Sequence, residues 1–177
     1  MRVAISAGVL GASLLLGLPS VAEVWKLEAR ATPFDDSSPA VAIDYAPLDR
    51  AVRPWRLCIL YPHLKDAYWL SVNYGMVEEA KRLGVAFDVF EAGGYPNLAR
   101  QIDQLKGCRS EEFDAVIIGA VSYAGLTPVV QEIARSKPVI AAVNDIDDRG
   151  ITAKLYGGDN EAAIHVDGDR GRGNARR

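Results

Sequence analysis

Tyr61, Tyr68, Trp69 and Tyr95 all lie at or beside the ends of short apolar runs, with Asp66 among them. Together they offer stacking surface, hydrogen-bonding tips and an orienting carboxylate, which suits the holding of a small ligand in a concave site. Aromatic faces attract cations, and cages of this composition recognise trimethylammonium-type groups. Each residue also has a packing reading. Trp69 opens an apolar helical stripe, Asp66 stands where a helix needs an N-cap, and both readings stay open. Tyr95 follows Gly93-Gly94 in a loop and is harder to assign to a core. Capping and ligand contact can coexist.

Enzymatic patterns fail on inspection. Tyr61-Pro62-His63 follows the first strong apolar run where a dinucleotide site would need a glycine-rich turn, and no GKS or GKT follows any glycine cluster. Cys58 lies inside an apolar run, so it makes a poor nucleophile for His63. Asp145-Ile146-Asp147-Asp148-Arg149-Gly150 starts like a calcium loop, but Arg149 takes an oxygen position and Tyr156 the terminal acidic one, so a solvated turn is expected. Cys58, Cys108, His63 and His165 have no metal-ligand spacing. A net charge of -3 gives no basic surface for a phosphate backbone, so no nucleic-acid partner is expected. No cofactor is expected either.

The elements that must position the aromatic loops alternate in type from Trp55 onward. Strands are predicted at 56–61, 85–90, 114–118 and 138–143, with a fifth starting near Leu155-Tyr156. Between the first two, Trp69, Val72, Met76, Ala80 and Leu83 recur at helical spacing from an Asp66 cap to a Gly84 stop. Leu98, Ile102 and Leu105 mark a second helix, capped by Asn97 and ended by Gly107. Leu126, Val129, Val130 and Ile133 mark a third that runs to about Ser136. This rhythm predicts a doubly wound parallel sheet of α/β class with right-handed crossovers. In such sheets ligands bind beyond the carboxyl ends of the strands, at loops 62–69, 91–95, 119–124 and 144–148.

The flanks read differently. Arg2, the apolar run Ala4 to Leu18 and the small residues Ser20-Val21-Ala22 form a signal peptide cleaved after Ala22, which places the protein in the periplasm. Export lets Cys58 and Cys108 persist as a disulfide, but spacing alone leaves that pairing open. Residues 23–54, rich in proline and polar residues, are expected to form an irregular arm with one short strand near Val41 to Tyr45. Residues 55–156 form the lobe. From 157 to 177 a Gly, Asp and Arg mixture ends the α/β rhythm, and a disordered, altered tail is expected.

The segments Trp55-Arg56-Leu57-Cys58, Tyr61-Pro62-His63-Leu64-Lys65-Asp66-Ala67-Tyr68-Trp69-Leu70, Asn73-Tyr74-Gly75-Met76 and Glu91-Ala92-Gly93-Gly94-Tyr95 closely resemble one family. It is the type I periplasmic binding-protein family, in its branch devoted to trimethylamine N-oxide respiration. The resemblance runs to about Tyr156 and implies the N-terminal lobe of that two-lobed fold. It implies trimethylamine N-oxide as ligand, a membrane sensor histidine kinase as partner, and ligand contacts at Asp66, Tyr68, Trp69 and Tyr95. The family cleft lies between two lobes. With the second lobe missing, and a family aromatic expected shortly after Gly157 not found, weakened binding and impaired sensing are expected. The other reading the fold allows is a solute-binding component, for a sugar or small amine, of an ABC transporter.

Overall fold

The sequence Arg56–Tyr61 places side chains on alternate sides of an extended chain, and both sides are apolar. In the computed structural model of the chain, this segment is the strand β3 and lies at the middle of the core. The structure describes residues 24–30, 35, 37–147, 151–157 and 162–166. The strands are β1 (Trp25–Arg30), β2 (Ala40–Tyr45), β3 (Arg56–Tyr61), β4 (Ala86–Glu91), β5 (Ala115–Ile118), β6 (Val139–Ala142), β7 (Ala153–Gly157) and β8 (Ala162–Val166). The helices are α1 (Ala67–Leu83), α2 (Leu98–Gly107) and α3 (Thr127–Ile133).

All eight strands join one sheet in the order β2-β1-β8-β7-β6-β5-β3-β4. From β4 to β7 every neighbouring pair is parallel. The chain steps from β3 outward to β4, then returns to the far side of β3 for β5. That reversal creates a switch point between β3 and β5, where the loops leaving the two strands diverge and open a crevice. The expected doubly wound α/β lobe is therefore present.

Alternation along β3 divides the core. Cys58 and Leu60 face a layer built from α2 and α3, with Leu105, Leu126, Val130 and Ile133. Ile59 and Tyr61 face α1, through Trp69, Val72 and Met76. Cys58 is bonded to Cys108 at the end of α2, their Cα atoms 5.8 Å apart, so a disulfide ties the central strand to its covering helix. Both sulfur-bearing residues are buried.

Local chemistry sets the boundaries. The Asp66 side chain accepts from the Trp69 N–H at 2.9 Å and caps α1. Gly84, at φ 71°, ends it in the left-handed conformation that lacks a Cβ penalty only for glycine. Lys137 Nζ donates to the carbonyls of Ser110 and Phe113, both at 2.7 Å, and holds the turn into β5.

Several sequence expectations are corrected. The stretch 23–54 is not an irregular arm with one strand, because β1 and β2 form an antiparallel hairpin paired from Trp25↔Tyr45 to Arg30↔Ala40. Strand β2 stands where one short strand was expected, and β1, with Lys26, Glu28 and Arg30 between its apolar residues, is the addition. Within the expected tail, β8 pairs antiparallel with β7 and parallel with β1. The strand itself, AAIHV, is mostly apolar and stands within the Gly, Asp and Arg mixture around it. Helix α3 ends at Ile133, three residues before Ser136. Asn97 occupies the N-cap position of α2 as expected, but its side chain makes no cap bond, and its Nδ2 donates instead to the Ala92 carbonyl at 2.9 Å. The expected signal peptide, residues 148–150 of the acidic turn, and positions 158–161 and 167–177 of the tail lie outside the described residues.

Candidate ligand-binding site

The loops leaving β3, β4, β5 and β6 meet at the carboxyl ends of the parallel strands. The loop after β3 carries His63 and Asp66 and leads into α1, whose first turn carries Tyr68 and Trp69. The loop after β4 carries Tyr95, and a Gly94 N–H bond to the Pro62 carbonyl at 2.8 Å ties it to the first loop. Lys65 Nζ adds a second tie, to the Gly93 carbonyl at 2.7 Å.

The four expected contact residues come together here, in different roles. Trp69 is 2% exposed and lies on the floor. Its ring packs at 5.3 Å from Tyr61 and edge-on, at 5.8 Å, to Tyr68. Tyr68 and Tyr95 are each about half exposed and line the opening. The Trp69 indole Nε1–H donates to the Tyr95 hydroxyl at 3.3 Å, so floor and rim are joined. Asp66 spends Oδ1 on its cap, while Oδ2 stands 3.8 Å from His63 Nε2. His63 in turn meets the Tyr95 ring edge-on at 5.5 Å.

Sequence reasoning named these loops but passed over the groups that brace them. Gly119 lies against the Trp69 ring so closely that a Cβ there would clash with Cη2. Gln101 is fully buried, donates to the Gly119 carbonyl and accepts from the Val121 N–H, both at 2.9 Å. Asn144 Nδ2 donates to the Ala120 carbonyl at 2.7 Å and reaches the Tyr95 hydroxyl at 3.4 Å. An asparagine two residues past a buried parallel strand was the available signal for Asn144. Gln101 sits on a helical face at apolar spacing, and nothing in its sequence context marks it.

A different cleft, about 500 Å3, opens at the amino ends of the same strands between Arg53, Trp55, Phe113, Asp114 and Lys137. Its charges are already engaged. Arg53 lies 3.8 Å from the Trp55 ring centroid and pairs with Asp114 at 2.8 Å. Burial alone would raise the Asp114 carboxyl, but the Arg56 N–H at 2.7 Å and the Arg53 guanidinium outweigh it and hold the group below the usual carboxylate range. This cleft lies at the wrong end of the strands for the ligand site of an open parallel sheet.

The aromatic residues and Asp66 thus gather at the carboxyl ends of the parallel strands, beside the switch point, where an open sheet of this kind binds ligands. The family described as periplasmic binding proteins and sugar binding domain of the LacI family matches residues 54–163. The chain belongs to that family. It is a ligand-binding class without catalytic machinery, which agrees with the motif analysis. Periplasmic protein TorT of Escherichia coli K12 is 48% identical over 106 residues, covering 60% of this chain and 30% of TorT. The chain thus spans under a third of the curated relative's length. An ABC transporter solute binding protein from Bradyrhizobium sp. BTAi1, solved with bound Bis-Tris, is 46% identical with a TM-score of 0.72, covering 76% of this chain and 41% of that one. A complex of the TorS sensor domain with TorT in the presence of TMAO gives 39% identity and a TM-score of 0.50, covering 58% of this chain and 36% of that chain.

Proposed function

We propose that this lobe binds a small ligand built on a nitrogen with three carbon substituents and a nearby acceptor oxygen, with trimethylamine N-oxide (TMAO) the first candidate. The observation that carries the reading is the bonding of the Tyr95 hydroxyl. The indole N–H of Trp69 can only donate, and so can Asn144 Nδ2. Tyr95 oxygen accepts both, and its own hydrogen has no acceptor among the described residues. That hydrogen is therefore free for a ligand oxygen. The faces of Tyr68 and Tyr95 supply π surface for the methylated nitrogen, and the Asp66 carboxylate adds negative potential. Trp69 acts from the floor, mainly by holding Tyr95.

The likeness to TorT supports periplasmic export through a cleaved leader and a signalling role, in which occupancy changes contacts with the periplasmic domain of a TorS-like membrane sensor histidine kinase. The Bradyrhizobium relative supports a second reading, a solute-binding component of an ABC transporter for a small amine. Bis-Tris is itself a tertiary amine bearing hydroxyls, so both readings share one ligand chemistry. Titration of the chain with TMAO, alone and with the TorS sensor domain, separates them. Ligand-dependent association with the sensor domain supports signalling; ligand binding with no association favours solute delivery. Absence of TMAO binding would contradict both for this ligand.

A further inference from the structure

The backbone at the end of β6 is strained. Val143 has a φ of 71°, a region that β-branched residues avoid, and it is the non-glycine residue with positive φ among those described. The Asn144 N–H donates to the Ala142 carbonyl at 2.9 Å, so residues 142–144 close a three-residue turn of the rare positive-φ kind. The turn leaves the Asn144 amide within reach of both neighbouring loops, at Ala120 after β5 and Tyr95 after β4. A backbone carbonyl only accepts, so the bond to Ala120 fixes which end of the amide meets Tyr95. Strain of this kind persists only where surrounding contacts over-determine it. Here the Asn144 amide bridges the Ala120 carbonyl and the Tyr95 hydroxyl.

We infer that Asn144 is a positioning residue that sets the specificity of this site. It shares the Tyr95 oxygen with Trp69 and so aims the Tyr95 hydrogen into the crevice. The site then favours a ligand with an exposed acceptor oxygen over a cation of the same shape that lacks one. This rests on the ligand reading above and deepens it by naming the residue that discriminates.

The test compares TMAO with tetramethylammonium on the full chain, wild type and Asn144→Asp, together with the Trp69 indole N–H resonance in ligand-free wild type and Asn144→Leu. The wild type should prefer TMAO by about tenfold or more, the scale of one hydrogen bond with a charged partner. In Asn144→Asp the new carboxylate draws the Tyr95 hydroxyl to itself, so the preference should collapse or invert at neutral pH. In Asn144→Leu the Trp69 resonance should shift without ligand, because its acceptor has lost its other donor. An unmoved resonance, or equal loss of both ligands in Asn144→Asp at neutral pH, would overturn the inference. A wild type that binds neither ligand while the resonance still answers Asn144→Leu would overturn the ligand reading beneath it, and the discrimination with it.

Discussion

The Trp69 indole N–H donates to the Tyr95 hydroxyl at 3.3 Å, joining a buried helix residue to a loop residue 26 positions away in sequence. Because Trp69 is fixed in the core and Tyr95 is about half exposed, the bond transmits the rigidity of the floor to the rim. Tyr95→Phe should lower affinity for TMAO by about ten- to a hundredfold, since a hydrogen bond to a charged acceptor contributes about 1.5–3 kcal/mol. Unfolding free energy should fall by about 1–3 kcal/mol, the cost of leaving the Trp69 indole N–H unpaired, since the Asn144 amide keeps its bond to the Ala120 carbonyl. Calorimetry and urea denaturation of the same sample measure both.

Gly119 and Gly75 should respond in opposite directions to alanine. At Gly119 the new Cβ meets the Trp69 ring, which cannot retreat because Tyr61 and Tyr68 pack against it. Overpacking of this kind costs about 1–3 kcal/mol, and Gly119→Ala should also weaken ligand binding. At Gly75, inside α1, nothing lies within 4 Å, so Gly75→Ala should stabilise by about 0.5–1 kcal/mol through helix propensity. Denaturation midpoints report both.

The disulfide closes a sequence separation of 50 residues. By loop-closure entropy, its loss in Cys58→Ala/Cys108→Ala should cost about 4 kcal/mol. The variant should denature at lower urea than the wild type, and a reductant should leave its midpoint unchanged. Reductant should lower the wild-type midpoint only where unfolding gives access to the buried sulfurs.

Tyr61 is 1% exposed and its hydroxyl makes no hydrogen bond among the described residues. Burial pushes this phenol up to about 12 from its ordinary value of 10.0. The fold thus favours the neutral form. That contribution is whole below pH 10 and lost as pH rises toward 12, by about 3 kcal/mol for a shift of that size. Tyr61→Phe should remove this alkaline loss and raise stability near pH 7 by about 1 kcal/mol, since an unpaired buried hydroxyl disappears. Unfolding followed from pH 7 to 12 in both proteins tests the sign.

Much of the lobe was legible in the sequence because its elements bury continuous or evenly spaced apolar residues. RLCILY became β3 within its expected bounds, and the Asp66 cap and Gly84 stop of α1 fell where their side-chain chemistry required. Of the flanking strands, β2 and β7 fell where short strands were expected, whereas β1 and β8 were not read from the sequence. The β1–β2 hairpin presents Val41 and Tyr45 largely to solvent, so burial leaves a weak imprint on its composition. Strand β8 lies inside the sheet between β1 and β7, and its short AAIHV run was hidden by the Gly, Asp and Arg mixture around it. At the site, aromatic residues announced themselves by type. Gln101 and Asn144 act through long-range hydrogen bonds spanning 18 to 49 residues, which no local pattern records.

The chain contains three tryptophans, Trp25, Trp55 and Trp69, and they mark three separate regions. Trp69 floors the crevice at the carboxyl ends of the strands, Trp55 lines the cleft at the opposite ends, and Trp25 lies in the β1–β2 hairpin. Titrating TMAO into chain labelled at the tryptophan indole nitrogens therefore tests the location of the binding site directly. Recognition at Tyr95 should move the Trp69 resonance along a saturable curve while Trp25 and Trp55 stay in place. Movement of Trp55 instead, or no movement of Trp69 from a folded sample as ligand is raised to high millimolar concentration, would contradict it.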